Sequence, residues 1–164
     1  QGQLQAIYVA DEAGAPMQPL ASCRCEAGRG IVGDRYAEGR GHWIKTDGCE
    51  ITLVRAEDID RLSRRGPVSF LAGEHRRNLV VSGIPLDAYR GRRVRIGEVL
   101  FEFLVGRTQD DRQTGVHLLD LSQYVDAVHA GHVDVENNQV RLESGQDSEG
   151  VFPGHGRMDL ETPF

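Results

Sequence analysis

Lysine is almost missing from this chain. Lys45 stands alone among nineteen Lys and Arg residues, so eighteen of the cationic side chains are arginines. A guanidinium is a planar fork of donors suited to phosphate and carboxylate, although a GC-rich genome would also favour arginine. No apolar run approaches the roughly 18 residues of a membrane span. The start, "QGQLQAIYVADEAG", has no basic segment followed by a long apolar stretch, so no signal peptide is expected. Cysteine is scarce and confined to Cys23, Cys25 and Cys49. An odd number without a secretory signal argues against a disulfide framework and for a reduced, cytoplasmic setting. Cys23 and Cys25 have strand spacing and would share one face, which suits buried, inert thiols better than a zinc site with its wider loop spacing. No H-E-x-x-H or G-x-S-x-G occurs to organise His42, His75, His117, His129, His132 and His155. A net charge of -6 argues against non-specific nucleic-acid binding over the whole surface, and no nucleic-acid partner is expected.

What remains is a chain of 164 residues, 39% hydrophobic and 27% charged, which predicts one globular domain over 3–145 and a loose tail over 146–164. Residues 3–9 read as a strand, followed by a turn over 13–16 and a second strand over 20–25. Residues 28–48 carry six glycines and little periodicity, the mark of a functional or floppy segment. "EITLV" over 50–54 is a strand, and 55–64 reads as an amphipathic helix with Ala56, Ile59 and Leu62 on one side. Further strands are expected over 79–81, 94–96 and 99–105, with a single turn over 87–89. Residues 116–128 suggest a helix, and 132–142 alternate around Asn137-Asn138 in the manner of a hairpin. Seven or eight short strands with two minor helices predict a mostly β fold, a barrel or sandwich.

Two constellations carry chemistry. In Gly33-Asp34-Arg35 a permissive backbone is followed by an acceptor and a forked donor, which serves either a ligand cradle or an ordinary turn with a local ion pair. Arg76, Arg77 and Asn78 lead directly into the apolar strand at 79–81. Successive strand residues face opposite ways, so both arginines share a face only if the chain twists or bulges there. They form either an anion clamp or a solvated edge. Arg90, Arg92, Arg93 and Arg95 make a second basic run, read as surface because alternation splits it between faces. Cys49, after the glycine-rich segment, is a candidate nucleophile with no sequence-visible base.

In order, "GIVGDRYAEGRGHW", "ITLVRAEDIDRL" and "RRNLVVSGIPLDAYRGRRVRIGEVLFE" resemble the MOSC domain family, named after the C-terminal domain of molybdenum cofactor sulfurase. The resemblance covers 3–105 well and 116–145 loosely. It implies a MOSC-like β-barrel with short peripheral helices and binding of the molybdenum cofactor, a phosphate-bearing pterin with a dithiolene-held metal, with a sulfur-carrier or oxidoreductase role in some members. It also implies that Arg76, Arg77 and Asn78 lie at the cofactor cleft beside Gly33, Asp34 and Arg35. The family usually carries an arginine-x-cysteine segment after the strand matching 99–105. Here "VGRTQDDRQTG" places Arg107 at the arginine and Gln109 at the cysteine, and glutamine cannot carry a persulfide. Asp110 or Asp111 as an oxygen ligand, an early cysteine reaching the cleft, or a non-catalytic anion-binding or interaction module are the three outcomes left open.

Overall fold

The computed structural model describes residues 2–42, 50–65, 70, 72–89, 91–103, 122–127, 130–136 and 139–142. Strand β1, Gly2–Val9, alternates buried and exposed residues until a bulge against its neighbour between Leu4 and Ala6. The extra residue resets the alternation, which lets Leu4 and Ile7 both enter the core although three positions separate them. The expected second strand divides at Ala21 into β2, Gln18–Leu20, and β3, Ser22–Glu26. β2 pairs with β1 and β3 joins a separate sheet, so the chain changes sheets at that corner. In β3, Cys23 and Cys25 share the inner face as their spacing predicts, and both are free and buried. Strand β4, Gly30–Ile31, pairs with β3.

Strand β5, Ile51–Arg55, runs directly into helix α1, Ala56–Arg65, which leads by way of the 66–78 segment to the parallel strand β6, Leu79–Ser82. Parallel neighbours need such a crossover. The run "ITLV" is buried throughout because Ile51 and Leu53 face the main core, whereas Val54 joins Val80 and Ile59 beneath the helix. After a single 3-10 turn, Leu86–Tyr89, come β7, Arg93–Ile96, and β8, Val99–Phe103. Phe101, Phe103, Val94 and Ile96 point inward and are essentially fully buried.

The helix expected over 116–128 is corrected in its described part, since Ser122–Ala127 forms strand β9 between β5 and β8. Both neighbours otherwise present an open edge there, and pairing their backbone N–H and C=O groups outweighs a short, ambiguous periodicity. The hairpin over 132–142 is also corrected. Its strands exist as β10, Gly131–Asp134, and β11, Gln139–Leu142, but β10 pairs with β3 whereas β11 pairs with β7 and β1. Asn137 and Asn138 lie outside the described residues.

The strand order is β11-β7-β8-β9-β5-β6-β1-β2, and the β11 to β1 pairing returns the sheet upon itself. The result is a barrel-like, mostly β fold with eleven strands among the described residues. One apolar cluster, from Leu4 through Phe101 to Val140, fills it. Among the described residues, no helix is long and apolar enough to cross a membrane.

Candidate functional site

The C-terminal end of β1, the start of β6 and the Gly33-Asp34-Arg35 turn meet at one end of the barrel. Asn78, the residue before β6, is the point of contact. Its backbone carbonyl accepts from Tyr8 N at 2.7 Å, and its side-chain Nδ2 donates to Tyr8 O and Asp34 Oδ1, each at 3.1 Å. Its Oδ1 accepts from Thr52 N at 3.2 Å and Thr52 Oγ1 at 2.9 Å. With acceptors on one side and donors on the other, the amide has one orientation, and all four of its side-chain bonds are made. Asn78 is fully buried. It fastens β1, β5 and the glycine turn to the root of β6.

Asp34 completes the knot. It is fully buried, and its carboxylate accepts from Ala10 N at 3.1 Å, Asn78 Nδ2, Arg35 Nη1 at 3.2 Å and Tyr36 N at 3.2 Å. A buried carboxylate survives only when its lone pairs meet donors and its charge meets a cation. Arg35, also buried, supplies that cation and stacks its guanidinium 4.6 Å from the centre of the Tyr36 ring. Its Nη2 approaches Arg76 O at 3.4 Å. Gly33 has φ +84°, the left-handed geometry that lets the chain turn sharply before Asp34. Outside the turn, Glu38 accepts from Gly33 N and is paired with Arg29 at 3.2 Å.

Beside this knot lies a cavity of about 430 Å³, lined by Ala13, Gly14, Arg35, Tyr36, His42, Arg76 and Arg77. Both consecutive arginines therefore reach one cavity. The chain manages this at Arg76, whose φ of +56° is the only positive value at a non-glycine among the described residues. The left-handed turn breaks the strand alternation just ahead of β6, so successive side chains no longer diverge. Arg76 Nη1 donates to Ala15 O at 2.8 Å, which ties the β1–β2 turn to the cavity rim.

Arg77 is placed by His75, whose Nδ1 accepts from Arg77 N at 3.0 Å while the imidazole packs edge-on to Tyr8. Burial, followed by the Arg77 charge and opposed by Glu74, pushes the His75 pKa down to about 4. The ring is thus neutral near pH 7 with Nδ1 as acceptor.

The structure accordingly brings together Gly33, Asp34, Arg35, Arg76, Arg77 and Asn78. Arg35, Arg76 and Arg77 line the cavity, whereas Asp34 and Asn78 are spent on the frame behind it. Arg107, Gln109, Asp110, Asp111 and Cys49 lie outside the described residues. Cys23 and Cys25 sit in the main core and are not among the cavity's lining residues. The hydrogen bond with Cys23, together with burial, pushes the Cys25 thiol up. Arg93 and Arg95 are not divided between faces, because they alternate with the buried Val94 and Ile96 on the outer side of β7. Sequence reasoning missed Ala13, Gly14, Tyr36 and His42 as lining residues. Tyr36 and His42 follow the glycine-aspartate-arginine triplet within the glycine-rich segment, but only folding shows which of its residues face inward.

No family model and no curated protein sequence matches this chain. Solved structures do. The YiiM protein from Geobacillus stearothermophilus matches with a TM-score of 0.62 at 14% identity, over 88% of this chain and 76% of that one. The YuaD protein from Bacillus subtilis gives 0.60 at 17%, over 82% and 91%. Escherichia coli YiiM gives 0.56 at 15%, over 87% and 70%. At these identities the likeness establishes the fold alone.

Proposed function

We propose that the chain is a MOSC-type domain that binds an anionic, pterin-type cofactor of the molybdenum-cofactor class in the cavity beside Asp34 and Asn78. The observation that supports this best is the convergence of Arg35, Arg76 and Arg77 on one cavity with no carboxylate among its described lining residues. Guanidinium forks in a partly dry recess suit a phosphate and the polar edge of a heterocycle. The described lining fits the anionic part of such a group and offers no thiolate to its metal. For that reason the proposal is of binding, and a sulfur-carrier or oxidoreductase role would need a group from outside the described residues. The burial of Cys23 and Cys25 in the core favours a second reading, a non-catalytic anion-binding module on the same fold.

Protein purified from a host that makes the molybdenum cofactor, and from one that cannot, separates the two. Stoichiometric molybdenum and oxidised-pterin fluorescence only from the competent host support the first reading. Neither species in either preparation supports the second. With the cofactor bound, Arg76→Ala or Arg77→Ala is expected to weaken retention by about 1.5–3 kcal/mol each, the scale of a charge-assisted hydrogen bond. Unchanged retention in both variants would remove the arginines from the binding role.

A further inference from the structure

Arg76 occupies a backbone position that glycine would fill more cheaply. Its N–H closes a turn onto Gly73 O at 2.8 Å, and at φ +56° a Cβ crowds the neighbouring carbonyl. Strain of this kind persists where a side chain is required. The side chain's only hydrogen bond among the described residues is that from Nη1 to Ala15 O, which leaves Nε and Nη2 uncommitted at the cavity wall. One guanidinium at the cavity wall therefore grips the β1–β2 turn and keeps a two-donor edge without a partner among the described residues. The turn it grips is anchored from the other side, where Ala13 N donates to Arg40 O at 3.0 Å and Arg40 Nε donates to Asp11 O at 2.7 Å. At its apex Gly14, with φ +88°, lines the same cavity, and nothing lies within 4 Å of the space a Cβ would occupy.

We propose that Arg76 couples this turn to the ligand: an oxyanion taken by the free edge of the guanidinium fixes the side chain, and through Ala15 O it steadies the Ala13–Ala15 turn against the cavity. The inference rests on the anion-binding reading of the cavity and adds the turn as one of its walls. A ligand that fixes Arg76 spares the turn the entropy of ordering itself, so anion and turn stabilise each other reciprocally.

The probes are inorganic phosphate and malonate, which separate a phosphate from a carboxylate preference, read by amide chemical shifts and hydrogen exchange of the whole chain. In the wild-type protein the preferred anion is expected to shift the Gly14 and Ala15 amides and slow their exchange severalfold. In Arg77→Ala the anion binds more weakly, yet at saturation protects the turn equally. In Arg76→Gly and Arg76→Ala the protection disappears. Arg76→Gly is also expected to melt about 2–4 °C above Arg76→Ala, since both lack the side chain and only alanine bears the left-handed strain. Anion binding without any response at 13–15 in the wild type would overturn the coupling and leave the binding reading intact. Binding of neither anion would overturn the binding reading, and the coupling with it. Equal melting of the two Arg76 variants would overturn the strain argument alone.

Discussion

Two groups of polar residues stand side by side at the end of this barrel, and they are built on opposite terms. The Asp34 and Asn78 knot is buried and saturated: carboxylate and amide are satisfied by one another, by Arg35, by Thr52 and by the backbone of Tyr8, Ala10 and Tyr36. The Arg76 and Arg77 rim is only half-buried, held through backbone geometry and a few hydrogen bonds, and lines the cavity, with Nε and Nη2 of Arg76 unpaired among the described residues. A fully satisfied network has nothing left to give a ligand and is costly to disturb. A half-buried rim is cheaper to alter, and it is the part to which the proposed binding is assigned. The same residue type, arginine, stands in both settings: Arg35 pairs with the buried Asp34 and also lines the cavity, whereas Arg76 lines it from the half-buried rim.

The comparison breaks most visibly at Asp34. Asp34→Asn is expected to cost about 3–5 kcal/mol, because it strands the buried Arg35 charge and turns an amide N–H toward other donors. Urea unfolding measures it, and a loss below about 1 kcal/mol would mean that the pair is not a structural keystone. Asn78→Ala follows at about 2–3 kcal/mol, from leaving the Tyr8 carbonyl and the Thr52 amide without their side-chain partner in a buried place. At the rim, Arg77→Ala keeps the main-chain bond to His75 and should change stability by under about 1 kcal/mol, even as it weakens anion retention. A large loss of stability there would erase the distinction between knot and rim.

The last effect is one of pH. The folded-state pKa of His75 lies near 4, below its ordinary 6.5, so folding favours the neutral ring. Its contribution is complete above pH 6.5 and is lost as pH falls from 6.5 toward 4. His75→Gln retains an acceptor for the Arg77 amide and should flatten that part of the stability profile. Identical wild-type and variant slopes between those pH values would show that His75 does not titrate as its surroundings dictate.

Much of the barrel was legible in the chain itself. The strands read at 3–9, 50–54, 79–81, 94–96 and 99–105 follow from short β-branched and aromatic runs, and the helix read at 55–64 from its apolar spacing; the described residues form Gly2–Val9, Ile51–Arg55, Leu79–Ser82, Arg93–Ile96, Val99–Phe103 and Ala56–Arg65. The misread segments are those in which partners decide. Ser122–Ala127 became a strand because two open edges flank it, and the strands either side of Asn137-Asn138 went to different sheets instead of to each other. Local pattern records which residues prefer extension, whereas pairing depends on edges supplied by residues far away in sequence.

The site divides along the same line. The residue types were visible: an aspartate after a glycine at 33, and two arginines and an asparagine before a strand. By itself the sequence determined which chemistry was present and that the arginines needed a break in alternation to act together. Only the tertiary structure decided that Arg76 supplies this break with a left-handed backbone, that Asn78 and Asp34 turn inward to hold the frame, and that Arg35 joins the cavity wall. The physical reason is burial: whether a polar side chain is spent on its own protein or kept for a ligand depends on which donors and acceptors surround it, and chain closure brings those from 8, 34, 52 and 78 to a single point.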